Sequence, residues 1–199
     1  MMKIGKYIFC LSIFLLIINC ELQDGITPPD ENVEELVNEG WEQFKSGNYQ
    51  LALETFQDAI ARDNNYAEAY NGAGWASARL TNLSNAVSYF TQCISLNASL
   101  VTAHAGLAFV YNAQKEYESA INSANKALSL RSNWLFTYDE SIGYKDLHLI
   151  LAASYFALGN FSQSLAQVQK LNPSFTADFN TYEGKSALAE EIERLRGIV

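Results

Sequence analysis

Few side chains in this 199-residue chain are able to do chemistry. The two histidines, His104 and His148, have no nucleophile or acid arranged around them in the order a Ser-His-Asp site needs. Asp139 and Glu140 are adjacent carboxylates without a partner that would tune them as an acid and base pair. Gly72-Ala73-Gly74 lies inside a helical pattern and follows no strand, so it is not a phosphate-binding loop. Cys10, Cys20 and Cys93 form no Cys-x-x-Cys pair and no Cys/His cluster, which leaves a metal site without ligands and a disulfide without support. The formal charge is −9, a surface that repels phosphate backbones, so nucleic acid is not an expected partner. These features point to a protein that is not an enzyme and holds no cofactor. What the sequence offers instead is recognition. Trp41, Trp75 and Phe109 follow one another at intervals of 34 residues, and rings held at fixed spacing suit a peptide with apolar anchors.

The elements that hold those rings are set by the same interval. Gly40, Gly74 and Ala108 share it, as do Ala52, Ala86 and Ala120, and Ala59, Cys93 and Ala127. A period of this length kept across several columns marks a stacked helical repeat. Three units follow without a gap, 33–66, 67–100 and 101–134. In the first, 33–45 and 49–61 read as two amphipathic helices, with Leu51, Ala52, Thr55, Phe56, Ala59 and Ile60 on one face of the second. The turn Ser46-Gly47-Asn48 supplies a residue tolerant of positive φ and a capping side chain, and Asn82 and Asn160 are expected to serve the same turn later. A fourth unit, 145–171, is out of step. Tyr155, Gly159-Asn160-Phe161 and Leu165 repeat Tyr111, Lys115-Glu116-Tyr117 and Ile121, but only after ten extra residues, 135–144. Residues 172–199 read as a loop and a last amphipathic helix over 185–197, whose Leu188, Ile192 and Leu195 would shield the final repeat from water.

These units resemble the tetratricopeptide repeat. That family places a small residue at the eighth position, here Gly40, Gly74, Ala108 and Ala152, and alanine at the twentieth, here Ala52, Ala86 and Ala120. It places an aromatic at the twenty-fourth, met by Phe56 and Phe90 but by Ala124 in the third unit. Its usual proline near the end of each unit is missing, with Asn64, Ala98 and Ser132 in its stead, which is expected to loosen the turns between units. His104 and His148 stand at the fourth position, where the family packs an aromatic between helices. The resemblance implies an all-α solenoid of about four helical hairpins with a C-terminal capping helix, whose first helices line a concave groove for a protein or peptide partner. Carried onto this chain, the groove comprises Trp41, Phe44, Lys45, Asn71, Trp75, Arg79, Phe109, Asn112 and Phe156. Lys45, Asn71 and Arg79 resemble the clamp that some members use on a C-terminal carboxylate, but Trp41 and Trp75 displace its asparagine, which disfavours an acidic tail.

The ladder Trp41, Trp75 and Phe109 has two readings: rings open to a ligand, or rings that complete the solenoid core. On the first, Trp75→Ala weakens partner binding and spares the fold. The insertion also has two. Trp134, Phe136, Tyr138 and Tyr144, beside Asp139 and Glu140, either project as a functional loop or pack down to bridge the fourth unit onto the third. The tether or the capping helix could also fill the groove.

The first nineteen residues read as an address. Lys3 and Lys6 precede an apolar run, 7–18, too short to span a bilayer and matching the core of a secretory signal. The run resembles a bacterial lipobox, with Ile17 three positions before Cys20, the residue that would take the lipid; Asn19 departs from the small residue usual there. Residues 20–32, with Gly25, Pro28 and Pro29, read as a flexible tether. The expectation is a lipid-anchored scaffold of the bacterial cell envelope that supports assembly of a complex, on the periplasmic or extracellular face. The alternative is a self-associating structural envelope protein, a homo-oligomer.

Overall fold

The computed structural model describes residues 32–197; the leader, Cys20 and the tether up to residue 31 lie outside them. Among the described residues nine helices follow one another: α1 (Val33–Lys45), α2 (Tyr49–Arg62), α3 (Ala67–Arg79), α4 (Leu83–Leu96), α5 (Val101–Ala113), α6 (Tyr117–Leu130), α7 (Tyr144–Ala157), α8 (Phe161–Leu171) and α9 (Tyr182–Arg196). Each of the first four pairs is a hairpin closed in the same way. The first helix ends and one residue turns left-handed before the second begins: Gly47 at φ 79°, Thr81 at 60°, Lys115 at 62° and Gly159 at 76°. This is the conformation in which a Cβ meets the following carbonyl, so glycine fits it and a β-branched residue is strained. The asparagines after it are the N-caps of α2, α4 and α8, yet only the Asn82 side chain caps, accepting from the Asn85 amide at 3.4 Å. Thr81→Gly is therefore expected to stabilise the fold by about 0.5–1 kcal/mol, read as a higher urea midpoint at unchanged slope.

The first two turns between units are held by a side chain where the proline is missing. The Oδ1 of Asp63 accepts from the Asn65 amide at 2.9 Å, and that of Asn97 from the Ser99 amide at 3.1 Å. Side-chain turns of this kind fix the backbone locally, as proline would by ring closure.

The small residues explain how the hairpins stack. Phe56 is fully buried, and an added Cβ at Gly40 would lie 2.7 Å from its ring and at Gly72 2.2 Å. Phe90 sits in the same way between Gly74 and Gly106, at 2.6 and 2.2 Å. Each ring is thus clasped by a glycine of its own unit and one of the next. The third unit has Ala124 in the ring's place, and the residue in register with Gly72 and Gly106 is then Ile150, also buried. A small side chain is matched by a large one, so the layer stays filled.

The odd-numbered helices α1, α3, α5 and α7 each touch the next, whereas the even-numbered helices pack only onto odd-numbered ones. The row whose members lie close together is the inside of a curved stack, so α1, α3, α5 and α7 form the inner face. One apolar cluster runs through the first three units and into α7; a second joins α7, α8 and α9 through Leu149, Val168, Leu188 and Ile192. The last helix starts at Tyr182, before the expected 185, because the Thr181 hydroxyl caps it by accepting from the Gly184 amide at 3.0 Å. It contacts α7 as well as α8, so it covers part of the inner face beyond the end of the array.

Candidate functional site

The inner face carries two different surfaces, and the insertion separates them. Tyr144 opens α7, so the inserted loop ends at Gly143, whose amide donates to Asp146 Oδ2 at 2.8 Å. The loop is closed by its own backbone: the Tyr144 amide donates to the Trp134 carbonyl at 2.7 Å, and the Phe136 amide to that of Ile142 at 2.9 Å. Leu135 and Gly143 pair as a single antiparallel bridge. The segment before the loop's tip is extended, so its side chains alternate. Trp134 and Phe136 are fully buried and Tyr138 is half-buried, while Leu135, between them, is 56% exposed.

Those three rings pack down and do not project into solvent. They reach back over α1 and α3. Tyr138 stacks on Trp41, centroids 3.8 Å apart and planes within 4°, and Phe136 stacks on Trp75 at 4.2 Å. Phe136 also meets Trp41 and Phe44 edge-on, both at 5.9 Å. Asp139 pairs with Arg79, whose guanidinium also lies 5.9 Å from the centre of the Phe44 ring and 5.8 Å from that of Tyr49. Aromatic contacts of this kind add about 0.5–1.5 kcal/mol each beyond the area they bury.

This placement corrects the expected groove over the first two units. Trp41 and Trp75 are only 1% and 3% exposed, and Phe44 and Asn71 are as deeply covered. Asn71 Nδ2 donates to Glu68 Oε2 at 2.8 Å, and its Oδ1 has no partner among the described residues. Burial raises the Glu68 carboxyl above its ordinary value, against the lowering effect of that bond. Burial, with Glu68 and Glu42 nearby, raises the Tyr138 hydroxyl too. Lys45 stays exposed at the rim, 2.5 Å from Glu42. No clamp for a carboxylate is left: Arg79 faces Asp139, and Asn71 is sealed.

The second surface is open. Beyond the insertion, two cavities adjoin along the inner side of α5 and share Ala113. The first, of about 280 Å³, is apolar and lies between Trp75, Leu83, Phe109, Val110 and Ile142, with Arg79 at its edge. The second, of about 340 Å³, is mixed in character and is bounded by Asn112, Lys115 and Tyr117 on one side, Ala153 and Phe156 on another, and Ile192 and Arg196 of α9. Arg196 is tied to Glu193 at 2.9 Å, while Lys115 forms no ion pair with any described residue. Five of the nine expected groove residues thus line a trough that remains open: Phe109, Asn112 and Phe156 within it, and Trp75 and Arg79 at its edge. Sequence reasoning missed the α9 side chains, because α9 reads in the sequence as a lid on the end of the stack.

The remaining reactive groups are occupied. Nε2 of the buried His104 pairs with the Ala98 carbonyl at 3.1 Å and Nδ1 of His148 with Gln167 Oε1 at 2.9 Å; burial lowers both imidazoles from their usual value. Burial pushes the Cys93 thiol up to about 12, which makes it an inert packing residue in its alanine column. No helix of the described residues is long and apolar enough to cross a membrane.

Comparison with known proteins agrees with this architecture. The tetratricopeptide repeat family matches residues 67–100 and 101–133, the second and third units. The crystal structure of MamA is 19% identical and superimposes with a TM-score of 0.60, over 83% of this chain and 81% of that one. That of TTC0263, a thermophilic TPR protein in Thermus thermophilus, is 20% identical, with a TM-score of 0.57 over 83% and 82%. No curated protein matches the sequence. The fold is an all-α helical solenoid of the tetratricopeptide type.

Proposed function

We propose that this protein is a non-enzymatic interaction module that holds a peptide segment of a protein partner in the trough along α5, and that Cys20 anchors it by lipid to a bacterial envelope membrane, where it supports assembly of a complex. The observation that carries the binding reading is the pair of adjoining cavities around Ala113 on the inner face. An apolar pocket of that size accepts one large side chain, and a few polar groups beyond it fix the direction of the ligand. A segment with a bulky apolar residue toward Trp75 and Phe109, and an acidic or amide group toward Lys115 and Asn112, meets both. Support for the anchor is the leader pattern ending at Cys20 and the polar stretch after it. The choice of an envelope complex follows from that address.

Ala113 is exposed in the last turn of α5, so a long side chain there fills both cavities while the core stays as it is. In-host crosslinking of the full chain, followed by mass spectrometry, is expected to yield a partner with the native protein and none with Ala113→Arg at unchanged helix content. A partner that still crosslinks to Ala113→Arg would rule the trough out. Cys20→Ala is expected to move the protein from the membrane to the soluble fraction; retention in the membrane would refute the lipid anchor.

A further inference from the structure

We infer that the inner face of α1 and α3 is a second recognition surface, and that the insertion is its resident ligand. The face fits an extended segment with aromatic residues at alternate positions followed by an acid, and a partner segment of that chemistry competes with the insertion for it.

The contact has the form of a bound peptide. Trp134, Phe136 and Tyr138 point inward at every second residue, onto Trp41 and Trp75, and the acid that follows pairs with Arg79. Specificity through alternate side chains is how an extended segment is read. None of the backbone hydrogen bonds of the loop goes to α1 or α3; its amides bond within the loop, to the turn at Arg131 just before it or to Asp146 just after it. The insertion is therefore able to leave the face without breaking a backbone bond to it, and its own bonds then lose their cover. The fit is also incomplete. The indole N–H groups of Trp41, Trp75 and Trp134 and the Oδ1 of Asn71 are buried without a partner among the described residues. A buried donor left unmet disfavours the state that contains it. A segment that offers carbonyl or hydroxyl oxygens to Trp41 and Trp75 would hold the face better than the resident does. This surface adjoins the trough, sharing Trp75 and Arg79 with it, so the test must tell the two apart.

The test uses the full chain and a fluorescent peptide with the sequence of residues 134–140. Asp139→Asn removes the resident's charge on Arg79 and leaves Arg79 to the aspartate of the added peptide; Tyr138→Ser removes the ring on Trp41. Both changes lie at the half-exposed end of the segment. Fluorescence anisotropy is expected to show binding at least ~tenfold tighter in each variant than in the native chain, the yield of about 1.4 kcal/mol released from the resident contact. Hydrogen exchange at the Phe136 and Tyr144 amides should quicken when peptide is added. The inference is overturned if folded variants, checked by circular dichroism, bind no tighter than the native chain, or if those amides exchange at the same rate with and without peptide. Ala113→Arg separates the two surfaces: it should leave peptide binding unchanged, and a loss there would mean that the peptide had entered the trough.

Discussion

Trp75→Ala is expected to cost about 3–5 kcal/mol and to bring down the array as a whole. The indole is 3% exposed and stands where the rings of several units meet: Phe90 at 5.8 Å, Phe109 at 5.9 Å and Phe136 at 4.2 Å. Removing it opens a cavity that Phe136, stacked face to face on it, cannot fill without leaving Trp41 and Phe44 as well. Urea unfolding followed by far-ultraviolet circular dichroism should show a much lower midpoint, in contrast to the mild effect that an open groove residue would give. An unchanged midpoint would return Trp75 to the solvent-facing ladder.

The second large effect is expected at a position with no side chain. In Gly72→Ala the new methyl would lie 2.2 Å from Cε1 of Phe56, a ring that is fully buried and already pressed by Gly40 on its other side. Alanine favours a helix over glycine by about 1 kcal/mol, and overpacking a closed core costs about 1–3 kcal/mol; with no free space around Phe56, the second prevails. Thermal unfolding should show a net loss. Pairing the change with Phe56→Leu should cost less than the two single losses together, because the shorter side chain makes room. Strict additivity would show that the clasp is not what holds the units together.

Much of this was legible in the sequence. The interval that brings Gly40, Gly74 and Ala108 into one column also fixes the helix pairs, since a hairpin needs its close contact at the same place in every unit. The fate of Trp41 and Trp75 was not legible, because their position faces inward in either reading. Whether it meets solvent depends on a segment far along the chain. The sequence of that segment does contain a clue. Trp134, Phe136 and Tyr138 alternate with Leu135 and Thr137, so one side of an extended stretch is aromatic. Periodicity of that kind says that a face must be covered; it does not say by which helices. The trough was partly visible: Trp75, Arg79, Phe109, Asn112, Ala113 and Phe156 follow from the repeat register, whereas the α9 wall depends on where the last helix docks.

Stacked repeats ordinarily behave as a line of dominoes, each held by its neighbours, so the outermost unit frays first. The stacking of Tyr138 on Trp41 joins the first unit to a segment beyond the third and turns that line into a closed circuit. Such a circuit forms only after a long stretch of chain has been drawn together, which slows folding, and it then opens all at once. Amides in α1 should therefore be as slow to exchange as those in α5. A ligand that releases the insertion would return the protein to a string of separately melting pieces.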